Sequence, residues 1–181
     1  VGTPTYGSIT LEAGFLPDPW IVSAVSGGEV DASQSGLGAG CVGFISSVPN
    51  FTLTYSGTPL SGNLRILFVG AGDTMLVVSD PNGSYFCNDT STNTDPLIDF
   101  PAPAAGNYTV WVGSVGVNTP IHGYLMVTEV QTASGVIYTD IPGFVTSLTE
   151  LTGEPADATL EAQPADAAPL ATPLVPTATS P

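Results

Sequence analysis

The stretch Asp73-Thr-Met-Leu-Val-Val-Ser-Asp-Pro-Asn-Gly-Ser-Tyr-Phe-Cys-Asn-Asp-Thr90, followed by Asp95-Pro-Leu-Ile-Asp-Phe100, gathers five of the sixteen acidic residues into 28 positions. Carboxylate, amide and carbonyl oxygens drawn from loops are the ligands Ca²⁺ takes, at about 2.3–2.6 Å and without a helical frame. Asp80, Asn82, Asp89 and Asp95 are the candidate ligands. Turn chemistry competes with that reading. Asp80-Pro-Asn-Gly83 is also a hairpin turn whose Asp and Asn cap their own backbone, which leaves Asp89 and Asp95 as solvated loop acids. The spacing is not the D-x-[DN]-x-[DN]-G run of an EF-hand, so both readings stand.

Other chemistry has less to work with. His122 is the single histidine, lysine is absent, and neither a Gly-x-Ser-x-Gly elbow nor an H-E-x-x-H metal motif occurs. No spacing argues for a pair of carboxylates flanking a glycosidic bond. The expectation is a chain that is not an enzyme. Cys41 and Cys87 are the only cysteines and have neither C-x-x-C spacing nor a His cluster for zinc. They read as one disulfide, with two buried free thiols as the alternative. Trp20 and Trp111 are stacking candidates for a sugar ring, each weighed against a place in the core, because both lie in strand patterns.

Four of the seven asparagines, Asn50, Asn82, Asn88 and Asn107, begin Asn-x-Ser/Thr sequons. N-glycosylation is one reading of them and the use of Asn and Thr in turns is the other. Thr172, Thr177 and Thr179 are O-glycan candidates near the C-terminal end.

Sixteen acids against the single Arg65 leave a net charge of −15 on 181 residues. That balance repels phosphate backbones and anionic headgroups, so neither nucleic acid nor a membrane surface is an expected partner. Only 9% of residues are charged, so the surface must be built from Ser, Thr, Asn and Gly, as in extracellular proteins. No apolar run reaches the roughly 20 residues needed to span a bilayer. No signal peptide appears, which makes Val1 the expected N-terminus of a mature secreted protein.

Positioning these residues falls to short β-branched and aromatic runs separated by Gly, Pro, Asn and Asp. Strands are predicted over Ser8 to Ala13, Trp20 to Val25, Val42 to Ser46, Phe51 to Ser56 and Leu64 to Val69. Five more follow over Thr74 to Ser79, Ser84 to Cys87, Leu97 to Phe100, Tyr108 to Gly113 and Gly123 to Val130. Phe51-Thr-Leu-Thr-Tyr55 alternates strictly, as a half-buried strand does, whereas Tyr108-Thr-Val-Trp-Val112 is more continuous and reads as nearer the core. The fold class is all-β, a jelly-roll-like antiparallel β-sandwich over 1–131. Residues 132–152 form a connecting segment in which Gly135-Val-Ile-Tyr138 is a further candidate strand and Phe144 to Leu151 reads equally as a strand or a short helix. From 153 to 181 the chain is an acidic Pro/Ala/Thr-rich extended tail with six Pro, eight Ala, four acids and no aromatic residue, which cannot bury a core of its own.

Three motifs resemble a known family. They are Thr74-Met-Leu-Val-Val-Ser-Asp-Pro-Asn-Gly83, Ala102-Pro-Ala-Ala-Gly-Asn-Tyr-Thr-Val-Trp-Val112 and Gly123-Tyr-Leu-Met-Val-Thr128. In order and spacing they are similar to the bacterial pre-peptidase C-terminal (PPC) domain family, over roughly Asn50 to Val130. Gly14-Phe-Leu-Pro-Asp-Pro19, Gly27-Gly28, Cys41-Val-Gly43 and Cys87-Asn-Asp89 resemble its cysteine-containing secreted branch. The resemblance implies a jelly-roll-like sandwich accompanying secreted enzymes or surface proteins, some members of which bind calcium and polymers such as collagen or polysaccharide. It does not imply catalysis. No protease domain precedes the motifs in this sequence, so the expectation is a module acting without an attached enzyme.

Two functions follow from these readings. The first is a structural subunit of a secreted extracellular assembly (a filament, sheath or surface layer), non-catalytic, with glycans and calcium as candidate additions. Its partners would be copies of itself, through edge-strand addition or the segment from 132 onward. The alternative is a soluble carbohydrate- or matrix-binding module that uses the tryptophans.

Overall fold

The computed structural model describes residues 2–38, 40–89 and 95–130. Side chains alternate across a strand, so a segment such as Phe51-Thr-Leu-Thr-Tyr-Ser56 can bury Phe51, Leu53 and Tyr55 only by pairing in a sheet with one face covered. The described residues form eleven strands: β1 (Ser8–Glu12), β2 (Trp20–Ser26), β3 (Val30–Asp31), β4 (Phe44–Ile45), β5 (Phe51–Ser56), β6 (Asn63–Gly70), β7 (Thr74–Ser79), β8 (Tyr85–Asn88), β9 (Leu97–Pro101), β10 (Gly106–Ser114) and β11 (Ile121–Thr128). One 3₁₀ turn, Ala32–Gln34, follows β3.

The first sheet runs β1-β5-β10-β4-β3, with β7 on the other edge of β10 and β8 beyond it. The second runs β2-β11-β6-β9. The two face each other as a β-sandwich. Between them lie Leu53, Tyr55, Phe68, Val78, Tyr108 and Leu125, each at most 1% exposed. Burying that many large side chains, at about 25 cal/mol per Å² of apolar surface, is the main force holding the sheets together.

The expected all-β, antiparallel-rich sandwich is present, with one parallel pair at the N-terminus, where β1 pairs with β5, Ser8 opposite Thr52 through to Glu12 opposite Ser56. No hairpin joins these strands. The chain leaves β1 for the other sheet as β2, and an edge strand reached by such a crossover is free of the antiparallel constraint a tight turn imposes. One correction concerns the strand expected from Val42, which shortens to Phe44–Ile45. Gly43 has φ +107, and a Cβ there would lie 2.8 Å from both the Met75 sulfur and the Ser114 carbonyl oxygen. Extended pairing therefore cannot begin before residue 44. β3 and the 3₁₀ turn were not expected; each is too short to leave a periodic signature.

Just before β5 begins, Asn50 extends the ladder backward. Its backbone N–H donates to Val110 O (2.8 Å), its side-chain Oδ1 accepts from Val112 N–H (2.8 Å), and its Nδ2 donates to Val25 O in the other sheet (3.3 Å). A side chain here replaces a strand. Near the end of β11, the buried carboxylate of Glu129 accepts from Tyr55 Oη (2.7 Å) and twice from Gly14 N–H (3.0 and 3.1 Å). It ties the β1–β2 crossover to the core. Burial and this hydrogen bond push the Tyr55 hydroxyl well above its ordinary pKa. The predicted segments 132–152 and 153–181, with Thr172, Thr177 and Thr179, lie outside the described residues.

Candidate functional site

The outward face of the first sheet is not uniformly polar. On β10, Tyr108, Val110 and Val112 point to the main core, so Thr109 and Trp111 must point away from it. Trp111 pairs with Val77 on β7, which pairs with Cys87 on β8. These residues, with Met75, Ala32, Cys41 and Ile45, form a second apolar cluster on the outside of the sandwich. The excursion from β3 to β4 covers it. Asp31 caps the 3₁₀ turn of that excursion, accepting from Ser33 N–H (2.9 Å) and Ser33 Oγ (2.6 Å). The Cys41–Cys87 disulfide, Cα atoms 5.2 Å apart, staples the excursion to β8. The expected pairing is therefore present. Such bonds persist in oxidising compartments, which puts the chain outside a reducing cytosol.

The excursion leaves a cleft of about 140 Å³ between itself and the sheet, lined by Val30, Leu37, Ile45, Tyr85, Trp111 and the serines at 35, 46 and 47. No charged side chain lines it. Tyr85 leans over Trp111 with ring centroids 6.2 Å apart and planes at 45°. Of the two rings, Tyr85 is 43% exposed and Trp111 only 9%. The exposed aromatic surface is thus chiefly Tyr85, with Trp111 as its backing. The sequence points to Trp111 and nearby tyrosines without distinguishing Tyr85 among them. The available signal was register, since Ser79 opposite Tyr85 puts that ring on the outward face beside the tryptophan. Trp20 is not brought to the cleft; it stacks on Phe51 (4.9 Å, 27°) and packs against the main core.

The four calcium candidates do not converge. Asp80 and Asn82 sit in the turn that joins β7 to β8, beside the Ser79–Tyr85 pair, whereas Asp89 follows the Leu76–Asn88 pair at the far end of the hairpin. That separation is about 10 Å of strand. Asp95 accepts from Gly70 N–H (3.3 Å) at the end of β6, away from the turn that holds Asp80 and Asn82. The physical reason is the hairpin itself: Asp80 and Asn82 lie in the turn between β7 and β8, whereas Asp89 lies past the open end of β8. Asp80 performs turn chemistry. Its Oδ1 accepts from the N–H groups of Asn82 (3.0 Å) and Ser84 (2.8 Å), and its Oδ2 accepts from Asn82 Nδ2 (3.2 Å). Among the described residues, no three His, Cys, Asp or Glu side chains are grouped to hold a metal ion. Burial raises the Asp95 pKa, a shift that the Gly70 hydrogen bond opposes.

The sequons divide as well. Asn82 and Asn107 are exposed, and Asn107 Oδ1 accepts from Thr54 Oγ1 (2.8 Å). Asn88 is half-buried. Asn50, 3% exposed and bonded through both side-chain atoms, has no room for a glycan in the folded chain. This expectation is corrected, because a buried amide bridging two sheets cannot also carry a sugar.

The sole cation is committed to structure. Arg65 Nε and Nη2 grip both oxygens of Asp99 (2.8 and 2.7 Å), and Asn63 Nδ2 adds a third bond (2.8 Å). The guanidinium hydrogen bonds hold the Asp99 carboxyl below its ordinary pKa, against the opposing effect of burial. No helix among the described residues is long and apolar enough to cross a membrane.

No family model matches the chain, so the pre-peptidase resemblance rests on the motifs quoted above. No curated protein matches it either. Among solved structures it is similar to Aeromonas hydrophila PliG, a periplasmic lysozyme inhibitor of g-type lysozyme, at 13% identity and a TM-score of 0.36, over 67% of this chain and 96% of that one.

Proposed function

We propose that this chain is a non-catalytic extracellular binding module that takes a neutral carbohydrate in the cleft formed by Tyr85 and Trp111. The observation that carries this reading is an uncharged, aromatic-floored cleft on a chain of net charge −15. Sugar rings present apolar C–H faces that pack on aromatic rings, and hydroxyls that serines at a cleft rim can bond. The test is a screen of neutral oligosaccharides followed by Tyr85→Ala. Tyr85 is exposed enough for its removal to spare the core, so the variant should keep its unfolding midpoint and bind at least about tenfold more weakly. Unchanged binding by the variant would sink the reading.

The structural-subunit reading is favoured by a different observation. Among the described strands β1 pairs only with β5, so its outer edge offers unpaired backbone groups to a strand from a second copy. Electron microscopy of secreted material would then reveal polymers. A monodisperse monomer at high concentration would dismiss it.

A further inference from the structure

Five strands place a hydroxyl-bearing residue at the same level on the outward face of the first sheet. The register reads Ser8 opposite Thr52, Thr52 opposite Thr109, Thr109 opposite Ser79, and Ser79 opposite Tyr85. All five point outward. Their strand neighbours Ile9, Leu53, Tyr108 and Val78 pack in or against the main core, and Phe86 meets Phe100 of that core edge-on (5.2 Å). Ser8 and Tyr85 are exposed, while Thr52, Thr109 and Ser79 are half-buried. The row crosses β1, β5, β10, β7 and β8 perpendicular to the strands, with steps of about 4.8 Å and a length of about 19 Å.

We propose that this row is a track for an extended neutral polysaccharide chain, continuing the Tyr85–Trp111 cleft across the sheet to the β1 edge. The inference rests on the reading of the cleft as a neutral-carbohydrate site, and it names the ligand as a polymer rather than a short sugar. Two features favour that occupant. The row is continuous with the cleft through Tyr85, which belongs to both. It is also free of charge on a strongly acidic chain, so an anionic polymer would be repelled while a neutral one meets a regular series of donors and acceptors. A flat stretch without aromatic rings cannot hold a sugar alone, so the cleft anchors and the row extends.

The experiment compares matched two-residue and six-residue versions of neutral oligosaccharides on an array, with the intact chain and with the double variant Thr52→Val, Thr109→Val. Valine keeps the shape and strand preference of threonine on an outward face and removes the hydroxyl, so the variant should fold. Wild type is expected to bind a six-residue chain roughly tenfold more tightly than its two-residue version, the value of about one net hydrogen bond. The double variant should lose that gain and keep the two-residue affinity. Equal affinity for both lengths, or a gain that survives the double substitution, would overturn the track and leave the cleft reading in place. Binding to no neutral oligosaccharide would overturn both. Tighter binding of six-residue uronic acid chains than of neutral ones would overturn the neutral assignment.

Discussion

The two faces of the first sheet cover apolar surface by different means. Inward, Leu53, Tyr55, Val78 and Tyr108 lie beneath a complete four-stranded sheet. Outward, Met75, Val77 and Trp111 lie beneath an irregular excursion with one short 3₁₀ turn and one covalent staple. A second sheet brings backbone pairing, many side chains and cooperative burial. An excursion brings few of these, and a cross-link that restricts its unfolded states compensates. The contrast explains why the cleft lies where it does: a cover that is not a sheet does not pack flush, and the gap it leaves has Tyr85 and Trp111 for a floor.

The comparison breaks most readily from the inside. Leu53→Ala at a fully buried position should cost about 2–5 kcal/mol and lower the unfolding midpoint of the whole domain, with both tryptophans reporting one transition. Removing the staple with Cys41→Ala and Cys87→Ala should cost about 2–4 kcal/mol. Its signature is local. With Trp20 replaced by Phe, the emission of Trp111 in the folded state should shift to the red, while with Trp111 replaced by Phe that of Trp20 should not. A shift in both would mean that the disulfide holds the main core rather than the cover.

Asn50→Ala leaves the Val112 N–H without its partner and should cost about 1–3 kcal/mol, less than a change on either face, through the loss of one bridge between the sheets. Mass spectrometry of native material should find Asn50 unmodified even if Asn82 or Asn107 carries a sugar.

Smaller effects follow pH. Burial and the nearby Asp80 charge push the Tyr108 hydroxyl up to about 12, from an ordinary 10.0. The folded state thus holds this proton more tightly than the unfolded chain does. The associated stability is fully present below pH 10 and lost as pH rises toward about 12, so Tyr108→Phe should flatten the alkaline limb of a stability profile. Asp99 has the opposite sign. Its lowered pKa contributes stability above the ordinary carboxylate range that is lost as pH falls through its folded value, and Asp99→Asn should flatten the acid limb. Smallest of all is the expected response to Ca²⁺. Asp80 already satisfies its own turn, so millimolar Ca²⁺ should leave the unfolding midpoint unchanged, and a rise would return the acidic loop to metal chemistry.

Much of the fold was legible. Phe51 to Ser56, with its alternation, and Thr74 to Ser79 span the strands expected of them, and the two cysteines form the predicted disulfide. The missed elements were those without periodicity, β3 and the 3₁₀ turn. The candidate site was less legible. Trp111 was named for its type, but its 9% exposure depends on the cover, and Tyr85 gained its role only by standing beside it. Asp80 and Asp89 looked like neighbours because nine positions separate them; the hairpin places them at opposite ends.

By itself the sequence determined what is local: which residues alternate, where Gly, Pro and Asn end a strand, and how acidic the chain is. Tertiary structure alone decided which strands pair and in what register. It thereby decided that β1 lies parallel to β5, that Asn50 bridges the sheets, and that five hydroxyls from distant segments form one row. The reason is physical. A period of two is written in neighbouring side chains, whereas register is settled by the sum of many cross-strand contacts between residues far apart in the chain.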